Sequence, residues 1–280
     1  VTHPGRSLLA DLADQHTGGW ITEMANHIVV TGAASGLGAA LTASLTAAGH
    51  ATIGVDLHDA DIVADLGTVR GRAFAISEIR AAGSSRLDGL VSCAAASPIH
   101  PDPATVVSVN WFGAMAMLDG LLPLLAQGDD PAAVAISSIG AVDGSADGAL
   151  LEVLRSSDED TARAAAADGT EFRSAITYAT TKRAVALAVR ERAGDWARAG
   201  VRLNAVAPGR METPMLDGLL ADPVIAAGLE AIPVGIRPSG SALDVAGAVR
   251  FLLGPEATFV HGQVLFVDGG SDALLRPSSI

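Results

Sequence analysis

Short apolar runs alternate with longer stretches of helical period along most of this chain. His27 to Thr31 (HIVVT) is too short for a buried helix and is rich in β-branched residues, so it predicts a buried strand. Leu37 to Ala48 has helical spacing and is closed by Gly49. A second strand follows over Ala51 to Val55, ending at Asp56, and a short third over Ile62 to Asp65. A helix over Val69 to Ala82 is bounded by Gly83. The fourth strand is Leu87 to Cys93. Asn110 to Leu125 reads as a helix, Ala133 to Ser137 as the fifth strand and Ser174 to Arg198 as a long helix. Val201 to Val206 is the sixth strand, Asp244 to Leu253 a helix and Gln263 to Val267 the last strand, closed by Asp268, Gly269 and Gly270. Strand and helix in alternation predict an α/β domain, with a seven-stranded, mostly parallel sheet wound on both faces by helices.

Two segments break the rhythm. Residues 140 to 173 contain two helix-like pieces, LLEVLR and DEDTARAAAA, and are too long for a turn. Asp158 and Glu159 favour a helix start there. Gly209 to Pro238 is rich in Met, Leu and Ile and is interrupted by Pro214, Pro223, Pro233 and Pro238. It reads as an apolar lid of one or two short helices, with Met211, Met215, Leu216, Leu219 and Leu220 facing a substrate. Residues 1 to 23 read as an N-terminal extension, with Leu8 to Asp14 as a short helix and Met24 as an alternative start. Residues 24 to 280 then form one catalytic domain.

Composition narrows the function. The chain has 280 residues, 18 basic and 31 acidic, for a net charge of −13. That length suits one well-buried domain, and the acidic balance opposes nucleic acid or an anionic membrane. Mean hydropathy is +0.38, but uncharged runs such as Ala104 to Leu118 fall short of a membrane span. A single cysteine, Cys93, excludes an internal disulfide and a multi-cysteine zinc site, and no other metal site is expected. With no signal-peptide pattern, the expected location is cytoplasmic.

Candidate chemistry sits at the strand ends. Gly32 to Gly38 (GAASGLG) joins a strand to a helix, where glycines allow a pyrophosphate to approach free N–H groups. Asp56 ends the second strand, where a carboxylate accepts hydrogen bonds from ribose hydroxyls and repels a 2′-phosphate. NAD is therefore preferred over NADP. Tyr178 and Lys182 share a helix face, and they are the only tyrosine and the only lysine of the chain. An ammonium nearby favours the phenolate and makes Tyr178 an acid/base for an alcohol or carbonyl. Ser137 and Ser138 end the fifth strand, where a hydroxyl can hold the reacting oxygen. Asn110 can cap a helix, pack as a buried polar group, or bind water behind the lysine.

Over residues 27 to 270 the chain resembles the short-chain dehydrogenase/reductase family. The matches are TGAASGLG at 31–38, Asp56, Asp65-Leu66, Asn110, ISS at 136–138, YATTK at 178–182, RLNAVAPG at 202–209 and VDGG at 267–270. The resemblance implies a Rossmann-type fold, with Ser138, Tyr178, Lys182 and Asn110 catalytic, Asn110 through a proton relay. It implies cofactor contacts from Gly32, Ser35, Gly36, Leu37, Gly38, Asp56, Leu57, Asp65, Leu66, Ala94, Ala95, Pro208, Gly209 and Thr213, besides Tyr178 and Lys182. Asp65 would meet the adenine ring. One departure is Cys93-Ala94-Ala95 where the family has Asn-Ala-Gly, which should alter support of the central strands and narrow the space beside the cofactor. With its CAA turn at 93–95, VVSVN at 106–110, PAAVAISS at 131–138, the helical insertion that lengthens the Ser138-to-Tyr178 spacing, AGVRLNAVAPG at 199–209, ETP at 212–214 and LLRP at 274–277, the chain resembles a steroid-oxidising branch of the family. This implies NAD(H)-dependent, reversible oxidation of a small apolar alcohol to a ketone, with a 3-alpha-hydroxysteroid first and a monoterpene or other alicyclic alcohol as alternatives. A non-catalytic dinucleotide-binding regulator is the competing class. The resemblance also implies a homodimer or homotetramer.

Overall fold

The computed structural model describes residues 26–82, 85–156, 158–168 and 173–279. The expected N-terminal extension, its Leu8–Asp14 helix, Met24 and Gly83 lie outside those residues. β1 (His27–Thr31) leads into α1 (Gly36–Ala47), then β2 (Ala51–Asp56), β3 (Ile62–Val63), α2 (Val69–Ala81) and β4 (Gly89–Ser92). α3 (Pro103–Val107), a π-helical stretch (Ser108–Gly113) and α4 (Ala114–Leu125) run on as one helix to β5 (Ala132–Ile136). The insertion supplies α5 (Gly148–Ser156) and α6 (Glu159–Ala167), followed by α7 (Arg173–Arg198) and β6 (Arg202–Pro208). The lid segment contains β7 (Met211–Glu212), α8 (Pro214–Leu220) and α9 (Pro223–Glu230). β8 (Gly240–Ser241), α10 (Ala242–Leu253), β9 (Val264–Val267) and α11 (Ser271–Leu275) complete the order.

The main sheet has seven strands in the order β3-β2-β1-β4-β5-β6-β9, and every pairing in it is parallel. A parallel sheet needs cover on both faces. Val29, Leu90, Ala133 and Leu203 point to one side, into a core with Met117, Leu121 and Trp196. Ile28, Val30, Val91, Val134 and Val206 point to the other, against Leu41 and Leu45 of α1 and Val245 and Val249 of α10. The α/β fold with helices on both faces is as expected.

Three expectations are corrected. The third strand is only two residues long, so Asp65 lies beyond it in a turn. The helix expected from Asn110 begins at Pro103, where Asp102 caps it by accepting from the N–H groups of Ala104 and Thr105. Proline fits the first helical position because the N–H it lacks would have no partner there. Asn110 is therefore no cap; it sits inside the π-helical stretch. The merged helix Pro103–Leu125 is by length and composition apolar enough to cross a membrane. Its apolar residues Val107, Trp111, Met117, Leu118, Leu121 and Leu125 are buried in the protein core.

Candidate active site

In a parallel sheet all strand C-termini lie at one edge. Here that edge carries Gly32 after β1, Asp56 at the end of β2, Cys93 after β4, Ser138 after β5 and Gly209 after β6. These residues line a single cleft of about 870 Å³. β1 pairs with both β2 and β4, so the strand order reverses direction beside it, which is where such sheets open a crevice.

The glycine turn is shaped by close backbone approach. Gly32 has φ +72°, and a Cβ there would lie 2.9 Å from the Ala94 Cα. A Cβ on Gly38 would lie 1.9 Å from the Gly32 carbonyl oxygen, so helix and turn touch through backbone alone. Ser35 precedes α1 without its side chain capping it. The first-turn N–H groups of α1 therefore have no side-chain partner, at a wall of the cleft. The Thr31 hydroxyl oxygen accepts from the N–H groups of both Cys93 and Ala94, each at 3.0 Å. Thr31 thus ties β1 to the segment after β4, where the Asn-to-Cys departure had suggested altered support. The Asp56 carboxylate accepts from Ala34 N–H at 2.9 Å and from Leu57 N–H at 2.6 Å, bracing the same turn. Its neighbours Leu57, His58 and Asp59 are exposed and none is a guanidinium or ammonium.

The candidate catalytic groups are fixed by α7 packing on β5. The Lys182 ammonium donates to the Ile136 carbonyl at 2.9 Å, and the Lys182 carbonyl accepts from the Ser137 hydroxyl at 2.8 Å. Ser137 is thereby spent on structure. Ser138 accepts from Gly140 N–H at 3.2 Å, which leaves its own hydroxyl proton free to donate. Lys182 is 3% exposed, and burial pulls its pKa down to about 8. Its ammonium lies 5.6 Å from the centre of the Tyr178 ring. Burial pushes the Tyr178 hydroxyl up to about 12, with hydrogen bonding to the Ser138 side chain pulling the other way. In the protein alone burial is the largest influence on the Tyr178 hydroxyl. The Cys93 thiol is likewise pushed up to about 11 by burial, and so is a poor nucleophile.

All the expected site residues line this cleft except Asn110. Asn110 is 1% exposed, and both ends of its amide are used on Ala96. Its oxygen accepts from Ala96 N–H at 2.7 Å and its nitrogen donates to the Ala96 carbonyl at 3.3 Å. It holds the segment after β4 in place, and these two bonds leave one amide N–H and one oxygen lone pair of its side chain over.

The lid contributes Met211, Met215, Leu216 and Leu219 to the cleft, whereas Leu220 is 44% exposed and is not part of the wall. α9 adds Val224, Ile225 and Leu229, which the proline-interrupted pattern did not single out. Residues 140 to 147 of the insertion reach the cleft through Gly140, Asp143 and Ser145, but helices α5 and α6 do not line it. They pack instead on α3 and α7. His100 and Arg210 also face the cleft. The sequence pattern had no means to place His100 there, because it follows an irregular segment with no strand or helix register.

A family model described as enoyl-(acyl carrier protein) reductase matches residues 169–272. The chain is 42% identical over 254 residues to 3-alpha-hydroxysteroid dehydrogenase/carbonyl reductase of Comamonas testosteroni, covering 90% of this chain and 98% of that protein. It is 30% identical over 253 residues to 2-(R)-hydroxypropyl-CoM dehydrogenase of Xanthobacter autotrophicus, covering 90% and 100%. The crystal structure of the 3-alpha-hydroxysteroid dehydrogenase from Pseudomonas sp. B-0831 complexed with NADH is similar, with a TM-score of 0.85 and 42% identity, covering 91% of this chain and all of that one.

Proposed function

The chain belongs to the short-chain dehydrogenase/reductase family, and from that premise we propose that it reversibly oxidises a secondary alcohol to a ketone with NAD(H). The substrate is an apolar ring compound, a 3-alpha-hydroxysteroid first. The observation that carries this reading is the meeting of Ser138, Tyr178 and Lys182 with the glycine turn and Asp56 in one cleft beneath an apolar lid. The names of the relatives from Comamonas and Pseudomonas support the steroid and the NADH assignments.

The residues present fit a dinucleotide. Gly32 and Gly38 let the turn pack on Ala94 and on the start of α1 through backbone alone, and the uncapped start of α1 suits a pyrophosphate. Asp56 offers a carboxylate to ribose hydroxyls, and the residues that follow it, Leu57 to Asp59, bring no guanidinium or ammonium for a 2′-phosphate. Leu57, Asp65 and Leu66 would flank the adenine. Ala94, Ala95, Pro208, Gly209 and Thr213 would border the nicotinamide half. Bound there, nicotinamide takes up or returns the hydride. Tyr178 accepts the alcohol proton in one direction and gives it to the carbonyl oxygen in the other. Ser138 donates a hydrogen bond to that oxygen, and Lys182 holds the ribose and Tyr178 in register. Asn110 fixes Ala96 and, as in the family it resembles, would support a proton relay behind Lys182. The apolar side chains of the lid cover the ring body and exclude water.

In this reading residues 24–280 are one catalytic domain, the protein is cytoplasmic, and it works as a homodimer or homotetramer, which sedimentation would measure. Tyr178→Phe tests the central assignment. Loss of the acid/base should lower kcat by at least about 10²-fold, while NADH binding, followed by fluorescence, stays within about twofold of the parent. Undiminished turnover by the variant would remove Tyr178 from the reaction.

A further inference from the structure

Helix α6 belongs to the insertion and does not line the cleft, yet its first residue is wired to two segments that do. Glu159 meets Arg72 of α2 in an ion pair, with side chains 18% and 8% exposed. The pair is two-pronged: Arg72 Nη1 donates to Glu159 Oε1 at 3.3 Å and Nη2 donates to Oε2. The same Nη1 also donates to the Leu66 carbonyl at 3.2 Å and to the Ser108 carbonyl at 3.4 Å. Leu66 lines the cleft, as does Val109, the neighbour of Ser108. The two segments touch at Gly67, where a Cβ would lie 3.1 Å from Val109 Cγ2. Arg163, one turn further along α6, donates to the Ser108 hydroxyl at 2.5 Å and to the Ala104 carbonyl at 3.3 Å.

We propose that α6 positions the adenine end of the cofactor site, with Arg72 and Glu159 as the positioning residues. The inference rests on the nucleotide-site reading above. The turn at 65–68 is already shaped locally: Gly67 N–H donates to Asp65 Oδ1 and the Thr68 hydroxyl to the Asp65 carbonyl. Those bonds leave open the spacing between the turn and the π-helical stretch, and the Arg72 fork spans it. A guanidinium this buried stays inside only with a counter-charge. Without the Glu159 carboxylate, Arg72 turns towards water, and the carbonyls of Leu66 and Ser108 lose a shared donor. The wall against which the adenosine packs then loosens, while Tyr178 and Lys182, held by β5, do not move.

The test uses Glu159→Gln, which removes the charge at constant size, and Arg72→Lys, which keeps the charge but lacks the fork needed to reach both carbonyls. NADH binding is read by fluorescence, AMP by its displacement of NADH, and reduced nicotinamide mononucleotide by its own fluorescence. Both variants should weaken NADH and AMP by the same factor, roughly five- to tenfold, and leave the mononucleotide and kcat unchanged. Arg72→Lys should do so with little change in the denaturant midpoint, which a merely structural role would lower. The proposal is overturned if NADH and AMP affinities stay at the parent value, or if the mononucleotide weakens equally. Failure of the parent protein to bind NADH at all would instead overturn the nucleotide-site reading.

Discussion

Lys182 is held at both ends, by its ammonium on the Ile136 carbonyl and by its own carbonyl under the Ser137 hydroxyl. Burial makes its charge costly and brings its pKa from 10.5 to about 8. An unfolded chain keeps that proton up to its ordinary pKa, so between about pH 8 and 10 the unfolded state binds more protons. Raising the pH through that window therefore favours the folded state. Above pH 10 the sign reverses, because Tyr178 retains its proton to about 12 when folded. Denaturation of the parent and of Lys182→Met at a series of pH values checks this. The parent should gain on the order of 2–3 kcal/mol relative to the variant from pH 8 to 10, and parallel curves would show that the lysine is not desolvated. Tyr178 and Lys182 were legible because each is the only one of its kind and they stand one turn apart. The partner of Asn110 was not legible. Ala96 comes fourteen residues earlier, and only the fold brings the two together.

The strand–turn–helix unit of β1 and α1 was readable as a unit, because glycines between an apolar run and a helical period have few other uses. The contact that makes Gly38 obligatory, with the Gly32 carbonyl, became visible only in space. Gly38→Ala should push α1 away from the turn at a strain of about 1–3 kcal/mol, weakening NADH by roughly tenfold or more. A fluorescence titration measures it, and an alanine variant that binds as tightly as the parent would mean that α1 has room the structure does not show. The π-helical stretch was not legible, since its residues have ordinary helical spacing. The helix that runs into it begins at Pro103, set by the carboxylate of Asp102. In the insertion, by contrast, Asp158 marked a true cap, accepting from Thr161 N–H at 2.9 Å.

For the molecule as a whole, alternation of strand and helix made the parallel sheet legible, but not the order in which strands lie side by side. That order, with β1 between β2 and β4, is what gathers residues from 32 to 213 into one cleft. It also leaves the apolar lid over the half where Ser138 and Tyr178 stand, and Asp56 at the other. The most direct test of the account is to supply a 3-alpha-hydroxysteroid with NAD, and separately with NADP, and to follow nicotinamide reduction alongside analysis of the steroid product. Stoichiometric 3-ketosteroid and NADH, formed faster than with NADP, is the predicted result. NADH binding with no ketone from this or any other alicyclic alcohol would contradict it.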